Sequence, residues 1–559
     1  MIRYKAKILG TIILALGVLV LCGLPLVAQN SASSPQPAVN RAVRFAVSPP
    51  LRELAKLPQH LEYGFHMATP VRSIRLPDAR KNRPLSPDPV EQNSVSGAAG
   101  NYSIGLNLLG VGYGFPNYVL INAPPDTNLA VGDTQLVEWI NSSFAIFNKT
   151  TGATEAGPFN GHTLFTALGG DCANGFQSDP IAQWDNAAHR WLLAQNTFSN
   201  PFHACVAISQ TPDALGSYYL YSFPLGGFPD YPKWGRWTNS WTQTYNSYGP
   251  NGLQFVGAVV CVYDRTKLLA GDPTTGQKCF PLGPGDYSLL PADIDSPANP
   301  PAGEDIFLIG GLGMVNSAHL SLYSVHIDWS NPGAATITGT GDSQLIAVPN
   351  FNPACNGSYR AFCVPQKDIS DTLDSLGDRL MYRFAYYDDP FPTHPSTSIG
   401  SQPYQHWYVN HAVTASGGQM GTRWYEFRAL QQSVPVTSMT VYQAGTFAPD
   451  SNYRWMGSMA QDKMNDILLG YSISSASMYP SINVAGRVKT DPPSTLEPEL
   501  VIINGTGSQT DTGGRWGDYS SMSIDQDGCT FWYVAEYYML TTSLDWSSQI
   551  ASLKFTNCH

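Results

Sequence analysis

The sequence predicts an all-β fold: a β-propeller of seven blades, or six, behind a mostly irregular N-terminal extension. Three observations carry this. First, an Asp or an aromatic-Gly turn opens a short β-patterned run seven times, at Asp126, Asp179, Asp230, Asp293, Asp378, the Arg454-Trp455-Met456-Gly457 segment and Asp518. The intervals run from about 51 to about 85 residues, at or above the ~40–50 of a four-stranded blade. Second, two openings lead into similar phrases: Ser458-Met459-Ala460-Gln461-Asp462 before Ile467-Leu468-Leu469, and Ser521-Met522-Ser523-Ile524-Asp525 before Thr530-Phe531-Trp532. Third, charged residues make up only 13% of the chain while Gly, Pro, Tyr and Trp are plentiful, which suits turn-rich extracellular sheet.

Taken in order, Arg3, Lys5 and Lys7 precede the apolar run Ile8–Leu21, and Leu26-Val27-Ala28 offers a small residue for cleavage. Residues 1–28 therefore read as a signal peptide, and the mature protein as secreted, extracellular or periplasmic. The apolar run is short for a span of ~20 residues and Pro25 follows it, so no membrane span is expected after cleavage. Residues 29–100 are rich in Pro, Ser, Ala and Arg without a period. They read as a linker or pro-region, partly disordered, with one or two helical turns at Leu51–Leu57. From 101 to 559 the β signals are continuous. Asp179–Asp185, Arg190–Gln195, Ala204–Ser209 and Ser217–Phe223 make one complete four-stranded meander.

Apart from Cys22 in the leader, eight cysteines remain, an even number that argues for disulfides in an exported chain. Neighbour pairing is the economical arrangement: Cys172–Cys205, Cys261–Cys279, Cys355–Cys363 and Cys529–Cys558. The net charge of −11 is concentrated in the body, because the leader and residues 29–100 are both basic. Such an acidic body repels phosphate backbones, so nucleic acid is not an expected partner. The oligomeric state is not legible.

Near the C-terminus, Ser523-Ile524-Asp525-Gln526-Asp527-Gly528-Cys529-Thr530-Phe531-Trp532 resembles a loosened Asp-box, the Ser-x-Asp-x-Gly-x-x-Trp hairpin of sialidase-like propellers, with one extra residue between Asp and Gly. With Pro125-Asp126-Thr127-Asn128, Asp230-Tyr231-Pro232-Lys233 and Arg515-Trp516-Gly517-Asp518-Tyr519, residues from about 120 to 559 look like an uncharacterised group of secreted bacterial β-propeller proteins. The resemblance implies fold and compartment. An Asp-box is a structural turn and brings no sialidase chemistry with it.

If the openings align, Asp126, Asp179, Asp230, Asp293, Asp378 and Asp518 point carboxylates at one axial mouth. Such a ring suits an oxygen-liganded Ca²⁺, unless the nearby Arg236, Arg379, Arg383, Arg454 and Arg515 neutralise it. The bland alternative is that each Asp only caps a turn. Ligand contacts are expected from Asp179, Asp230, Arg236, Arg379, Arg515, Trp455, Trp516 and Tyr519, the tryptophans offering either sugar-stacking faces or packing between blades. The leading functional expectation is a binding or structural module contacting glycans or proteins at the axial face. The rival is a glycoside hydrolase. A two-carboxylate mechanism would draw on Asp378, Asp518 and Glu536, and a sialidase-type one on an Arg379–Arg487–Arg515 clamp with Glu536 beside Tyr537 or Tyr538.

Overall fold

The computed structural model describes residues 39–57, 86–97, 99–119, 123–174, 177–311, 318–357, 361–389, 404–430, 433–510 and 513–559. The leader lies outside the described residues. Among those described, no helix is long and apolar enough to cross a membrane. The fold is all-β, as the sequence predicts.

Among the described residues, seven strands open meanders: β1 (Thr127–Val131), β2 (Gln177–Asp185), β3 (Pro229–Arg236), β4 (Leu290–Ile294), β5 (Met381–Asp389), β6 (Tyr453–Gln461) and β7 (Ser521–Ile524). Each begins an antiparallel meander. β1, for example, pairs with Gln135–Ile140, which pairs with Ser143–Asn148 and then Thr154–Asn160. Nearly every residue of the first three is buried, because both faces of the sheet are covered. That explains strands that read as continuous apolar runs rather than strict alternation. β4 and β5 also pair with each other in parallel, Ala292 opposite Phe384, and so join two units into one sheet.

The opening strands touch in cyclic order: β1 with β2, β2 with β3, β3 with β4, β4 with β5, β5 with β6, β6 with β7, and β7 with β1. Aromatic side chains fill the space between neighbouring units. Trp237 meets Tyr386 edge-on at 4.9 Å and Trp455 meets Trp516 at 5.6 Å, while Trp234 stacks on Tyr263 within the third unit at 5.0 Å.

Among the described residues before 101, three short strands join the sheets. Val39–Arg41 adds an outer strand to Gly276–Pro281, Arg44–Val47 one to Tyr218–Pro224, and Glu91–Gln92 runs parallel to Thr440–Phe447. Strands of two to four residues at a sheet edge need backbone pairing more than a buried face, so they leave no period to read. Tyr102–Leu109 is the outermost strand of the last unit, paired with Trp546–Phe555.

The four neighbour disulfides form as expected. Cys529–Cys558 spans 29 residues and ties the last turn of the chain to the final hairpin. Replacing both cysteines by Ala should cost about 3 kcal/mol from the released loop entropy, measured by urea unfolding. Unchanged stability would show that the last unit holds without its staple.

Candidate functional site

The starts of most of these strands gather at one end, here the near mouth, and the ends of several line a cavity at the other, the far mouth. A shared local device marks the near mouth. Asp126 (φ 52°), Asp179 (55°), Tyr231 (56°), Ser288 (48°) and Met456 (54°) all take the left-handed conformation where a strand begins. The register also slips between Asp230 and Lys233 and between Trp455 and Ser458, as at a β-bulge. Asp tolerates this backbone, whereas Tyr231 and Met456 pay strain of ~1–3 kcal/mol that the surrounding packing must hold.

These turns bring Asp126, Asp179, Asp230, Asp378 and Asp518 together from separate units, with Lys233, Arg379 and Arg515 among them. The carboxylates reach across to their neighbours rather than capping only their own turns. Asp126 accepts the Asp518 N–H at 2.8 Å, and Asp179 accepts the Tyr231 N–H at 3.2 Å. Arg379 grips Asp378 with two bonds of 2.7 and 2.9 Å, and Arg515 donates to Asp518 at 2.8 Å. Lys233 Nζ lies between the rings of Tyr231 and Tyr519, 3.4 and 3.9 Å from their centroids. Asp179, Asp230 and Asp518 are half-buried, whereas Asp126, Lys233, Arg379, Tyr231 and Tyr519 are buried.

Burial sets the protonation at this mouth. It lifts the Asp179 carboxyl to about 7, helped by Asp230 and Asp518. It also pulls the Lys233 ammonium down to about 7 against the attraction of Asp179, Asp518 and Asp126. Glu536, on the strand Thr530–Tyr538, is lifted to about 8 by burial. Its Oε2 accepts the Gly517 N–H at 2.8 Å, while Oε1 has no hydrogen-bond partner, and neither has the buried Tyr231 hydroxyl.

Other predicted residues go elsewhere. Asp293 stands at the finishing end of β4, because Ser288 occupies the opening; it accepts the Arg236 N–H at 2.9 Å and a bond from Arg383 at 2.6 Å. Arg236 likewise ends β3 at the far mouth, with Nη1 on Asn299. Trp455 and Trp516 offer no exposed face, since they pack on each other, and Trp516 also packs on Tyr538. Arg487 donates to the Asp491 carbonyl on an outer strand, so the three arginines of a sialidase-type clamp do not converge. Tyr537 packs with the outer core of the last unit, and Tyr538 takes a bond from Gln509. Three cations, Lys233, Arg379 and Arg515, stand among the five aspartates of the near mouth, so its acids outnumber its bases. Among the described residues, no three His, Cys, Asp or Glu side chains gather as a metal would require.

The far mouth was not foreseen. There the ends of the opening strands enclose a cavity of about 150 Å³, lined by Gln183, Trp184, Asp293, Asp295, Arg383 and Tyr387 among others. Arg383 bridges Asp293 and Asp295. Burial lifts the Asp295 carboxyl to about 6 against the pull of Arg383. The resembling hairpin stands beside it. Asp525 accepts the Trp532 indole N–H at 3.0 Å, and its N–H donates to the Thr530 carbonyl, which is a turn-fixing role.

No protein-family profile and no curated protein matches this chain. Among solved structures it is similar to a protein of unknown function from Dyadobacter fermentans, with 8% identity, 81% of this chain and 99% of that one covered, and a TM-score of 0.35. It is similar to the phage phi92 endosialidase at 8% identity, 80% and 69% coverage and a TM-score of 0.35. It is also similar to an endo-1,5-alpha-L-arabinanase from Thermotoga petrophila at 10% identity, 76% and 97% coverage and a TM-score of 0.22.

Proposed function

We propose that the chain is a seven-bladed β-propeller, exported from the cell, that binds an uncharged, hydroxyl-rich glycan at its near mouth. The cyclic contact of seven opening strands supports the blade count. The four disulfides support an oxidising compartment. One observation carries the binding reading: five aspartates and Glu536 converge with only Lys233, Arg379 and Arg515 to balance them, and the Tyr231 hydroxyl and Glu536 Oε1 lack partners. Burying ions costs several kcal/mol each, and apolar residues would pack the axis more cheaply, so the cluster reads as a site rather than a staple. Arg379 and Arg515 each hold a carboxylate already, which leaves no guanidinium to grip an anionic sugar. Hydroxyls, in contrast, donate to carboxylates and satisfy the two orphaned groups.

Glu536 favours a second reading, glycoside hydrolysis, because a carboxyl kept protonated at neutral pH is what a general acid requires. One experiment addresses both readings. On an array of neutral and sialylated oligosaccharides, the protein should retain neutral ones and Asp230→Asn should weaken binding at least tenfold. Retention confined to sialylated sugars, or indifference to the substitution, would overturn the binding reading. If the bound oligosaccharide is cleaved, reducing ends should appear with the wild type and not with Glu536→Gln. Equal release by both would remove Glu536 from any catalytic role.

A further inference from the structure

We propose that the far mouth holds a second, separate binding site, which takes one neutral cyclic polyol the size of a pyranose ring. The cavity of about 150 Å³ is drawn from strands distant in sequence, with Gln183 and Trp184 from β2, Asp293 from β4 and Arg383 and Tyr387 from β5. A cavity of ~150 Å³ is large enough to admit a six-membered ring. Two buried polar atoms on its lining residues have no hydrogen-bond partner: Gln183 Oε1, on a side chain 5% exposed, and Trp184 Nε1. One is an acceptor and the other a donor. A hydroxyl-bearing ligand answers both, because each hydroxyl donates and accepts.

Charge narrows the class further. The guanidinium of Arg383 is engaged by Asp293 at 2.6 Å, by Asp295, and by the Met522 carbonyl at 3.0 Å. Arg383 and the nearby Arg236 together match Asp293 and Asp295, which leaves the site no net positive charge to draw carboxylates, sulfates and phosphates. Asp525, also on the lining, is held by Lys149 at 2.8 Å and adds no free cation. Tyr387 and the half-buried Trp184 supply aromatic surface on which the C–H face of a sugar ring can lie. Trp184 packs at 4.6 Å against Trp191, so the ring is held in place before a ligand arrives.

This site is independent of the near mouth, and its test separates the two. Tryptophan fluorescence and saturation-transfer NMR are recorded on the full chain with methyl β-D-glucopyranoside, methyl β-D-galactopyranoside and myo-inositol. At least one should bind saturably in the millimolar range. Trp184→Phe, which keeps a ring but removes the N–H, should weaken that binding about tenfold, read by NMR. Tyr387→Leu should weaken it comparably without touching the indole. Asp230→Asn at the near mouth should leave it unchanged. Absence of saturable binding by all three probes, or binding that survives both far-mouth variants, would overturn the proposal. Loss of binding in Asp230→Asn alone would assign the probes to the near mouth and overturn it equally.

Discussion

Substituting Lys233 by Met should destabilise the protein by about 3 kcal/mol at pH 7, the cost of removing one partner from a buried charge cluster. The side chain is fully buried, and its ammonium lies between the rings of Tyr231 and Tyr519 in the field of Asp126, Asp179 and Asp518. Methionine fills nearly the same volume, so the loss would report charge rather than a cavity. The carboxylates left behind can respond only by taking up protons, which Asp179 already does near neutrality. The deficit should therefore be largest near pH 6–7, shrinking at pH 5 as Asp179 takes up its proton and at pH 8 as Lys233 gives up its own, and Asp179→Asn in the same chain should restore part of it. Urea unfolding at the three pH values measures this. A loss below 1 kcal/mol at pH 7 would mean that Arg379 and Arg515 carry the balance without Lys233.

The second large effect is on the pH profile. Glu536 and Asp179 have folded-state values raised to about 8 and about 7, against about 4 in an unfolded chain. The native state holds these protons longer, so their contribution is complete below pH ~4 and fades as pH climbs to ~8. Glu536 alone carries an upper figure of about 5 kcal/mol across that range. Lys233, pulled down to about 7, works oppositely, and stability recovers between pH ~7 and ~10 as the unfolded lysine gives up its proton. Glu426 is held at about 2 by bonds from His406, Arg428 and Gln443, and its contribution is lost as pH falls from ~4 toward 2. Greatest stability is expected near pH 4–5, with the melting temperature falling from pH 5 to 8. Glu536→Gln should flatten that fall, because its amide does not titrate. A slope identical to that of the wild type would place the cause elsewhere.

Some of this was legible in the amino-acid order because it repeats. Asp126, Asp179, Asp230, Asp378 and Asp518 stand where strands begin, and a turn that recurs at intervals leaves a recurring residue type. Asp293 resembles them in sequence but lies at the other end of a five-residue strand, which moves it about 15 Å along the axis. A carboxylate at either end of a short strand looks the same on paper, and only pairing with Ile306–Gly310 and with β5 fixes which end it is. Arg236 was misplaced for the same reason. Lys233 and Tyr231 sit within a phrase that stood out, Asp230-Tyr231-Pro232-Lys233, yet nothing local says that a lysine is to be buried between two tyrosines. The far cavity could not be read at all, since Gln183 and Arg383 are brought together across 200 positions by ring closure alone.

The pairing of Tyr102–Leu109 with Trp546–Phe555 has a consequence for biogenesis. The final sheet cannot be completed until translation has reached its last residues, so a nascent polypeptide emerging from the ribosome lacks the strand that latches the circle. The bond between Cys529 and Cys558 flanks the hairpin of Thr530–Tyr538 and Trp546–Phe555, so it comes within reach once that hairpin pairs.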